Sequence, residues 1–390
     1  MLQSFLEKKP LYYAQIDYAR MPRIYEKIKS QICSRTATNG VPLSKVIHLV
    51  GTNGKGTTGR FLATALFNLG YKTTHYTSPH ILEFNERIWI NGENVSNKDL
   101  NHAHKKLQTI LSKDDSDSLS YFEYTTFLAM LLSQGCEYIV LEAGLGGEYD
   151  ATAVFDKALT LITPIDYDHQ AFLGSNIQEI ATTKINSIQK NAIISTQRDE
   201  EIYKIAEKIA FDKDAEIFRV DEYIDAEDID KILAISANLS LVKYLEDNLK
   251  LSICALKFFN IEYSVDDFNN SKLFGRLSEI SDNIILDVGH NPLAASSIVK
   301  ALKGKKYTLI YNTYKDKEYK KILEILKPII SRVEVIDIID ERIESSVLLH
   351  QSLNDLGIEY RKFNTIDKDK NYLVFGSFSV AKVFLSRYNG

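Results

Sequence analysis

Short apolar runs alternate along the chain with longer segments whose apolar residues recur at helical spacing. Residues 46–50 form an apolar run that ends in a glycine loop, which indicates a buried strand. Residues 55–68 have helical spacing and precede Gly70, which predicts a helix with a natural stop. The same patterns predict further strands at 71–76, 138–141, 159–163 and 192–195, and further helices at 122–133 and 177–188. This alternation is typical of an α/β domain with a mostly parallel sheet.

Two local patterns stand apart from this alternation. Asn91-Gly92 lies between extended segments and favours a hairpin with a two-residue turn. The charged segment KDDSD at 113–117 is typical of a solvated loop.

The second half of the chain begins with a helical stretch at 238–260, followed by the polar segment SVDDFNNSKLFG. We place a domain boundary there, which divides the chain into residues 1–272 and 273–390. Beyond it, strands are predicted at 284–288, 307–311, 333–338 and 372–375, with helices at 292–302, 317–330, 346–356 and 380–388. We therefore predict a P-loop-type α/β domain followed by a smaller Rossmann-like α/β domain. The second domain lacks G-x-G-x-x-G after its first strand, so we do not predict a dinucleotide site there.

Composition and charge exclude several classes of protein. The 390 residues carry a formal net charge of -5, which gives no sign of non-specific nucleic-acid binding. The three cysteines, Cys33, Cys136 and Cys254, are scattered and form no C-x-x-C pair, so we expect neither a zinc site nor a disulfide scaffold. The N-terminal sequence lacks a secretory pattern, and no long apolar run predicts a membrane span. We expect a soluble, cytoplasmic protein without a membrane or nucleic-acid partner.

The segment HLVGTNGKGTTGRF has the context of a phosphate-binding loop, because it follows a predicted strand and opens a predicted helix. Its glycines let backbone N–H groups approach an anion, and the helix N-terminus adds partial positive charge. Lys55 can reach phosphate oxygens, and Thr57 or Thr58 can offer a hydroxyl to Mg²⁺. The spelling departs from the common G-x-x-x-x-G-K-[ST] loop, since Leu49 and Gly56 occupy positions that would be glycine and Ser or Thr.

Polar side chains follow two more strands of the first domain. Glu142 closes one strand, where a carboxylate faces the ligand crevice and could bind Mg²⁺, although an exposed glutamate before a turn is an equally good reading. Asp166, Asp168 and His169 follow another strand and suit metal binding or acid–base chemistry, or form an ordinary polar cluster.

Two further hints are weak when taken alone. Composition alone makes Lys184 a helix-surface lysine. Asp287 and His290 leave a strand of the second domain, but the following Asn291-Pro292 is also explained by a turn and a helix start.

Taken in order, these motifs resemble the folylpolyglutamate synthases and dihydrofolate synthases, which belong to the wider group of Mur-ligase-like ATP-dependent amide ligases. The resemblance runs in discrete blocks from about residue 47 to residue 302, with a further match at 376–378. The matching blocks are GTNGKGT, TSPHILEFNERI, YFEYTT, LEAGLGGEYDAT, DYDHQAFLG and LDVGHNP. The ATP loop of the family reads GTNGKGS, so Thr57 stands in the place of a serine.

The resemblance implies a reaction. ATP would phosphorylate a pteroate or folate carboxylate, and the amine of L-glutamate would attack the resulting acyl phosphate to form an amide. Dihydropteroate, reduced folates and L-glutamate would be the substrates, ATP and Mg²⁺ the cofactors, and the chain a monomer. Such an enzyme must shield its intermediate from water and neutralise charge on the γ-phosphate.

The resemblance also implies roles for single residues. The nucleotide phosphates would be held by the loop Gly51, Thr52, Asn53, Gly54, Lys55, Gly56 and Thr57. One Mg²⁺ would be bound by Ser78 and Glu142, with Thr57 beside the phosphates, and a second by Glu142, His169 and Lys184, the lysine in its carbamylated form. Arg276 and Asp287 would contact ATP, and His290 would lie near the reacting phosphate or glutamate. Lys55, Lys184 and His290 are the candidate catalytic residues.

Two departures from the family pattern concern the folate and nucleotide contacts. The family often has an arginine after the glycines of the fourth block, towards the folate side, and here that residue is Glu148. It also often has a nucleotide-contacting asparagine before the linker, in a region that here reads EDNLKLSICAL, and we align that position with Leu251.

Two alternatives remain open at this stage. The first is a Mur-type ligase with a different carboxylate acceptor, which the folate-type blocks disfavour. The second is a nucleotide-dependent switch without ligase chemistry, which has no evident need for Glu142, His169 and Lys184 together.

Overall fold

The computed structural model describes residues 1–10, 17–32 and 44–388, so Cys33 lies outside the described residues. Within them the chain forms two compact units. The first comprises residues 1–241 and 245–271, and the second comprises residues 242–244 and 272–390.

A large sheet forms the centre of the first unit. In order it reads β4-β3-β2-β5-β1-β6-β7-β8, and all neighbours are parallel except the β2–β3 and β3–β4 pairs. The strands are β1 Lys45–Val50, β2 Thr73–Tyr76, β3 Ile88–Ile90, β4 Glu93–Asn94, β5 Tyr138–Glu142, β6 Leu159–Ile162, β7 Asn191–Ile194 and β8 Glu216–Arg219. Because β1 lies between β5 and β6, the segments that leave these three strands meet at one edge, where α/β folds bind ligands.

Helices cover the sheet and bury its apolar residues. They are α1 Leu2–Leu6, α2 Arg20–Ile32, α3 Lys55–Asn68, α4 Asn97–Ile110, α5 Lys113–Ser118, α6 Tyr121–Leu132, α7 Gln170–Leu173, α8 Ile177–Ile185, α9 Glu200–Asp212, α10 Val220–Tyr223, α11 Ala226–Asn238 and α12 Lys243–Phe258. The strands β1, β5 and β6 are buried almost throughout, as expected for a parallel sheet covered on both faces.

The hairpin at Asn91-Gly92 is confirmed, since these residues connect β3 to β4. The prediction of a loop at 113–117 is wrong, because these residues belong to α5. The hydroxyl of Ser112 caps this helix by accepting from the Asp115 N–H, and the Asp115 carboxylate pairs with Lys27 at 2.8 Å. A capped helix end therefore accounts for the acidic cluster.

The second unit contains a smaller sheet with the order β13-β12-β11-β14-β10-β9, which is parallel except for the β9–β10 pair. Its strands are β9 Ser278–Ser281, β10 Ile284–Leu286, β11 Tyr307–Tyr311, β12 Ile330–Val335, β13 Tyr360–Lys362 and β14 Tyr372–Phe375. Its helices are α13 Pro292–Ala301, α14 Tyr319–Leu326, α15 Ser346–Asp355 and α16 Phe378–Tyr388. The predicted fold class, a mostly parallel α/β domain followed by a smaller α/β domain, is confirmed.

No helix in the described parts of the chain is long and apolar enough to cross a membrane.

Candidate active site

The glycine loop leaves β1 through a conformation that only glycine fits. Gly51 has φ +139°, and a Cβ atom there would lie 2.1 Å from the Thr163 Oγ1 atom that follows β6. The next two N–H groups, of Thr52 and Asn53, donate to the carbonyl of Pro164 at 2.9 and 3.4 Å. The loop is thus fixed against the segment that leaves the neighbouring strand.

Gly54 is the second position where a side chain does not fit. It precedes α3 with φ +92°, and a Cβ atom there would lie 2.3 Å from Oδ1 of Asn248. Asn248 is buried in α12 and places its amide beside the phosphate loop. Leu251, which the sequence alignment gave as the position of the expected asparagine, is buried in the apolar core instead. Asn248, three residues before Leu251, is the asparagine that lies beside the loop.

The first turn of α3 has the groups that an anion needs. Lys55 begins this helix, and its Nζ donates to the carbonyls of Gly51 at 3.1 Å and Thr52 at 3.2 Å. Thr57 lies in the same turn, and its buried Oγ1 has no hydrogen-bonding partner among the described residues. A buried hydroxyl without a partner, next to a lysine at a helix N-terminus, fits a site for phosphate and its metal ion.

Lys184 is buried, so the interpretation as a surface lysine is wrong. It lies in α8 with 4% of its surface exposed, and its Nζ donates to the Gly51 carbonyl at 2.9 Å. Burial, together with the nearby charge of Lys55, lowers the pKa of the Lys184 amine to about 7. An amine with a pKa near 7 is partly neutral at neutral pH, and the neutral form is the one that can react with carbon dioxide.

Glu142 ends β5 and is buried, with 6% of its surface exposed. Its Oε2 accepts hydrogen bonds from the Thr77 hydroxyl and, at 3.2 Å, from the Ser78 N–H. The carboxylate therefore has a fixed orientation at the carboxyl edge of the sheet, and Ser78 lies beside it. The reading of Glu142 as an exposed residue before a turn is wrong.

His169 precedes α7 in a left-handed conformation, with φ +50°. The ring Nε2 of His169 lies 3.7 Å from Oδ2 of Asp168. The backbone N–H of His169 donates to Oδ1 of the same carboxylate at 2.9 Å. Within the described ranges, His, Cys, Asp and Glu side chains form no group of three or more that could hold a metal ion. The predicted magnesium ligands Thr57, Ser78 and Lys184 are of other residue types, and oxygen donors such as Glu142 are what Mg²⁺ prefers.

In the second unit, Asp287 follows β10 and is buried with three hydrogen-bond donors. The Tyr244 hydroxyl donates to it at 3.1 Å, and the N–H groups of Leu277 and Gly289 donate at 3.0 and 2.7 Å. Burial raises the pKa of the Asp287 carboxyl, and the charge of Arg276 opposes that rise.

The two other predicted residues of this unit lie near the same strand end. The guanidinium of Arg276 lies 5.5 Å from the centre of the Phe378 ring. His290 contacts the Val288 carbonyl through Nδ1 at 3.1 Å. The next residue, Asn291, caps α13 by accepting from the Ala294 N–H at 2.9 Å, so the expected helix start is present.

Sequence reasoning missed a buried chain of polar groups under the segment that follows Glu142. Asp150 accepts from the N–H groups of Gly144 and Leu145, both at 2.9 Å, and from the Thr152 hydroxyl at 2.5 Å. The Thr152 hydroxyl is also 2.7 Å from Nε2 of His48 in β1. The only sequence signal was the position of Asp150 shortly after the glycines.

Comparisons with known proteins identify relatives along most of the chain. The chain is 30% identical over 365 residues to the dihydrofolate synthase/folylpolyglutamate synthase of Buchnera aphidicola (Schizaphis graminum), covering 86% of each protein. It is 31% identical over 324 residues to the Haemophilus influenzae protein of the same description, covering 74% of this chain and 73% of that one. No protein-family model matches the chain.

Solved structures give the same result. The crystal structure of Helicobacter pylori folylpolyglutamate synthetase is 38% identical with a TM-score of 0.78, over 100% of this chain and 98% of that chain. Escherichia coli FolC in complex with DHPP and ADP has a TM-score of 0.81 at 24% identity, over 100% of this chain and 97% of that one, and shows the shared fold. A bifunctional enzyme of this kind has been solved with Mn, AMPPNP and L-glutamate bound, with a TM-score of 0.81 at 23% identity over 100% of this chain and 97% of that one. This chain therefore belongs to the dihydrofolate synthase/folylpolyglutamate synthase family.

Proposed function

We propose that this enzyme joins L-glutamate to a carboxylate of dihydropteroate or a reduced folate at the expense of ATP. The observation that carries the proposal is the convergence of Lys55 and Lys184 on one carbonyl oxygen, that of Gly51, at the start of a glycine loop. A nucleotide loop alone needs only the first of these lysines. The second is buried, at the position to which the family resemblance assigns metal binding.

The residues of the first unit suit activation of a carboxylate. The N–H groups at the start of α3 and the Lys55 ammonium would hold the ATP phosphates. One Mg²⁺ would be held by Ser78 and Glu142, with Thr57 beside the phosphates, and a second by Glu142, His169 and Lys184, where the two ions would neutralise charge on the transferred phosphoryl group. The Thr57 hydroxyl, which has no partner within the described residues, and the oriented Glu142 carboxylate fit such ions. A carboxylate is a poor electrophile, and its phosphorylation supplies a leaving group for the attack of the glutamate amine.

The second unit would contribute the glutamate-ligase part of the reaction. Arg276 and Asp287 would contact ATP, and His290 would lie near the reacting phosphate or the incoming glutamate. The buried carboxylate of Asp287 is held in place by three donors, which suits a fixed contact to a nucleotide. We further propose that the enzyme acts as a monomer in the cytoplasm, where the described cysteines Cys136 and Cys254 stay free thiols.

The proposal is tested by incubating the protein with ATP, Mg²⁺ and L-glutamate, with dihydropteroate and tetrahydrofolate as separate acceptors. Phosphate release and the mass of the product are measured. We expect release that depends on both acceptor and glutamate, and a product heavier by one glutamyl residue. Absence of a glutamate-dependent product with both acceptors would overturn the folate assignment.

The role of Lys184 is tested separately with Lys184→Ala. We expect this variant to bind ATP but to lose ligation, because the second Mg²⁺ loses one of its ligands. Ligation close to that of the unchanged enzyme would rule out a metal-binding carbamate at this position.

A further inference from the structure

Gln197 is a buried amide that the reaction described above does not use. It follows β7, and 8% of its surface is exposed. Its Oε1 accepts from the Ile165 N–H at 2.9 Å, and its Nε2 donates to the Ser195 carbonyl at 3.0 Å. Because a backbone N–H only donates and a carbonyl oxygen only accepts, these partners determine which end of the amide is the oxygen. Gln197 therefore has one orientation, in which it connects the segments that leave β6 and β7.

The surroundings of this amide hold it rigidly. Its Nε2 also lies 3.1 Å from the Ser195 hydroxyl oxygen and 3.4 Å from the Thr163 carbonyl oxygen. The backbone N–H of Gln197 donates to the Tyr203 hydroxyl at 2.9 Å, which connects the glutamine to α9. A buried amide whose oxygen and nitrogen are both bonded is fixed in place, because any movement would leave polar groups without partners in the interior.

The segment that Gln197 holds, residues 163–166, also contacts the phosphate loop, and we call it the β6 exit segment. The Pro164 carbonyl in this segment accepts from the N–H groups of Thr52 and Asn53 at 2.9 and 3.4 Å. The β6 exit segment is therefore bonded to the phosphate loop on one side and to Gln197 on the other.

The side chain of Thr52 makes a second connection to the β6 exit segment. Its hydroxyl donates to the Asp166 carbonyl at 2.9 Å and accepts from the Asp166 N–H at 3.0 Å. Beyond Asp166 the chain leads directly to His169, the predicted ligand of the second Mg²⁺. A displacement of the β6 exit segment would thus move both the phosphate loop and His169.

Gln189 makes the corresponding contact at the other end of the same two strands. It precedes β7, and its Oε1 accepts at 2.7 Å from the N–H of Lys157, which precedes β6. In both pairs the glutamine and the N–H donor are 32 residues apart, which is the offset of the β6–β7 register, where Thr160 pairs with Ala192. Each glutamine therefore extends the pairing of the two strands beyond one of their ends. Only the contact of Gln197 lies at the carboxyl edge, beside the phosphate loop.

We propose that Gln197 is a positioning residue, which fixes the β6 exit segment and, through it, the phosphate loop and His169. Loss of the amide would leave the Ile165 N–H without its acceptor, and Ile165 is itself buried with 3% of its surface exposed. The segment would have to move to satisfy that group, and the Pro164 carbonyl would move with it. The inference rests on the proposed function for the role of His169, whereas the effect on nucleotide binding needs only the phosphate loop.

The test uses Gln197→Met, which keeps the length of the side chain and loses its hydrogen bonds. Backbone amide exchange is measured in the ligand-free protein, and ATP binding is measured by titration. We expect faster exchange of the N–H groups of Thr52, Asn53 and Ile165, because their acceptors are displaced or lost. The Kd for ATP should rise about fivefold or more, as for one lost hydrogen bond. The Mg²⁺ concentration needed for half-maximal turnover should also rise, because His169 is displaced.

Gln189→Met is the matched control, since it removes the corresponding contact at the opposite edge of the sheet. Its exchange should become faster at Lys157 and not in the phosphate loop, and its Kd for ATP should stay within about twofold. A rise in the Kd of equal size in both variants would show a general loosening of the fold and overturn the inference. An unchanged Kd in Gln197→Met would also overturn it.

Two further results complete the test. If Gln197→Met does not fold, Ser195→Ala, which removes one acceptor of the same amide, takes its place. Faster exchange at Ile165 in that variant supports the inference, and unchanged exchange there contradicts it. If Gln197→Met loses ATP affinity but the unchanged enzyme makes no glutamate-dependent product, the proposed function falls and the positioning role stands. If product forms and Gln197→Met binds ATP normally, only the positioning role falls.

Discussion

The buried amine of Lys184 should make the stability of the first unit depend on pH, and the comparison of Lys184→Met with the unchanged protein isolates that dependence. Burial lowers the pKa of this amine from 10.5 to about 7 in the folded protein. Between those values the unfolded chain holds a proton that the folded protein does not. The free energy of unfolding therefore rises with pH over this window, and the penalty of burying the charged amine is fully present below about pH 7.

The size of the effect follows from the shift. A difference of one bound proton changes the free energy of unfolding by about 1.4 kcal/mol per pH unit. The whole window therefore corresponds to a penalty on the order of 5 kcal/mol for burying the charged amine. The free energy of unfolding should rise by about 3 kcal/mol of this amount between about pH 7 and about pH 9.5. Lys184→Met lacks this group, so the difference between the two proteins should change by that amount.

The assay is urea unfolding followed by tryptophan fluorescence. The chain contains one tryptophan, Trp89, and it lies in β3 of the same compact unit as Lys184. Buffers are kept free of bicarbonate, because a neutral amine reacts with carbon dioxide. The exposed residue Lys98 provides the control variant Lys98→Met, whose pH profile should run parallel to that of the unchanged protein.

The reasoning is refuted if the profiles of Lys184→Met and the unchanged protein are also parallel from about pH 6 to about pH 9.5. A constant difference in the free energy of unfolding between the two proteins is not the test, since the substitution also removes the hydrogen bond to the Gly51 carbonyl. The changing difference alone reports the titration of the buried amine.

Two further substitutions test the geometry of the site. Gly54→Ala should raise the KM for ATP at least about tenfold with little change in the fold, because the new methyl group would lie 2.3 Å from Oδ1 of Asn248 in a conformation that disfavours alanine. If the double variant with Asn248→Gly regains ATP affinity, the clash with Asn248 is the main cause of the higher KM, and the strained backbone of the alanine is not. Thr77→Val should raise the Mg²⁺ concentration needed for half-maximal turnover, because Glu142 loses a hydroxyl donor, whereas Thr77→Ser should not. Equal Mg²⁺ requirements in Thr77→Val and Thr77→Ser would contradict that role for the hydroxyl.

The parts of the fold that the sequence predicted well are those in which local and tertiary signals agree. The helix expected at 55–68 has those bounds, because its apolar spacing and the glycines before it indicate the same element. The edge strands β8, β9 and β13 were not predicted. They are short and only partly buried, so their sequences have little of the apolar pattern that identifies a central strand.

The sequence predicted the site residues that lie at the ends of strands. It did not predict those whose position depends on side-chain burial. Glu142 ends a strand and Asp287 follows one, and both lie where the alternation of elements placed them. Lys184 gave no local signal of its burial, since a lysine on a helix is normally exposed. Asn248 lies far along the chain from Gly54, and only the packing of α12 brings the two together.

The hydrogen bonds from Thr52 and Asn53 to the Pro164 carbonyl have a consequence for how fast and how tightly a nucleotide binds. These two N–H groups are already occupied, so the donors left for a phosphate include the N–H groups at 55–57, which have no acceptor within the described chain. A loop that is ordered before its ligand arrives loses little conformational entropy on binding. Nucleotide association should therefore need no loop rearrangement, and loosening the Pro164 contact should slow association rather than hasten release.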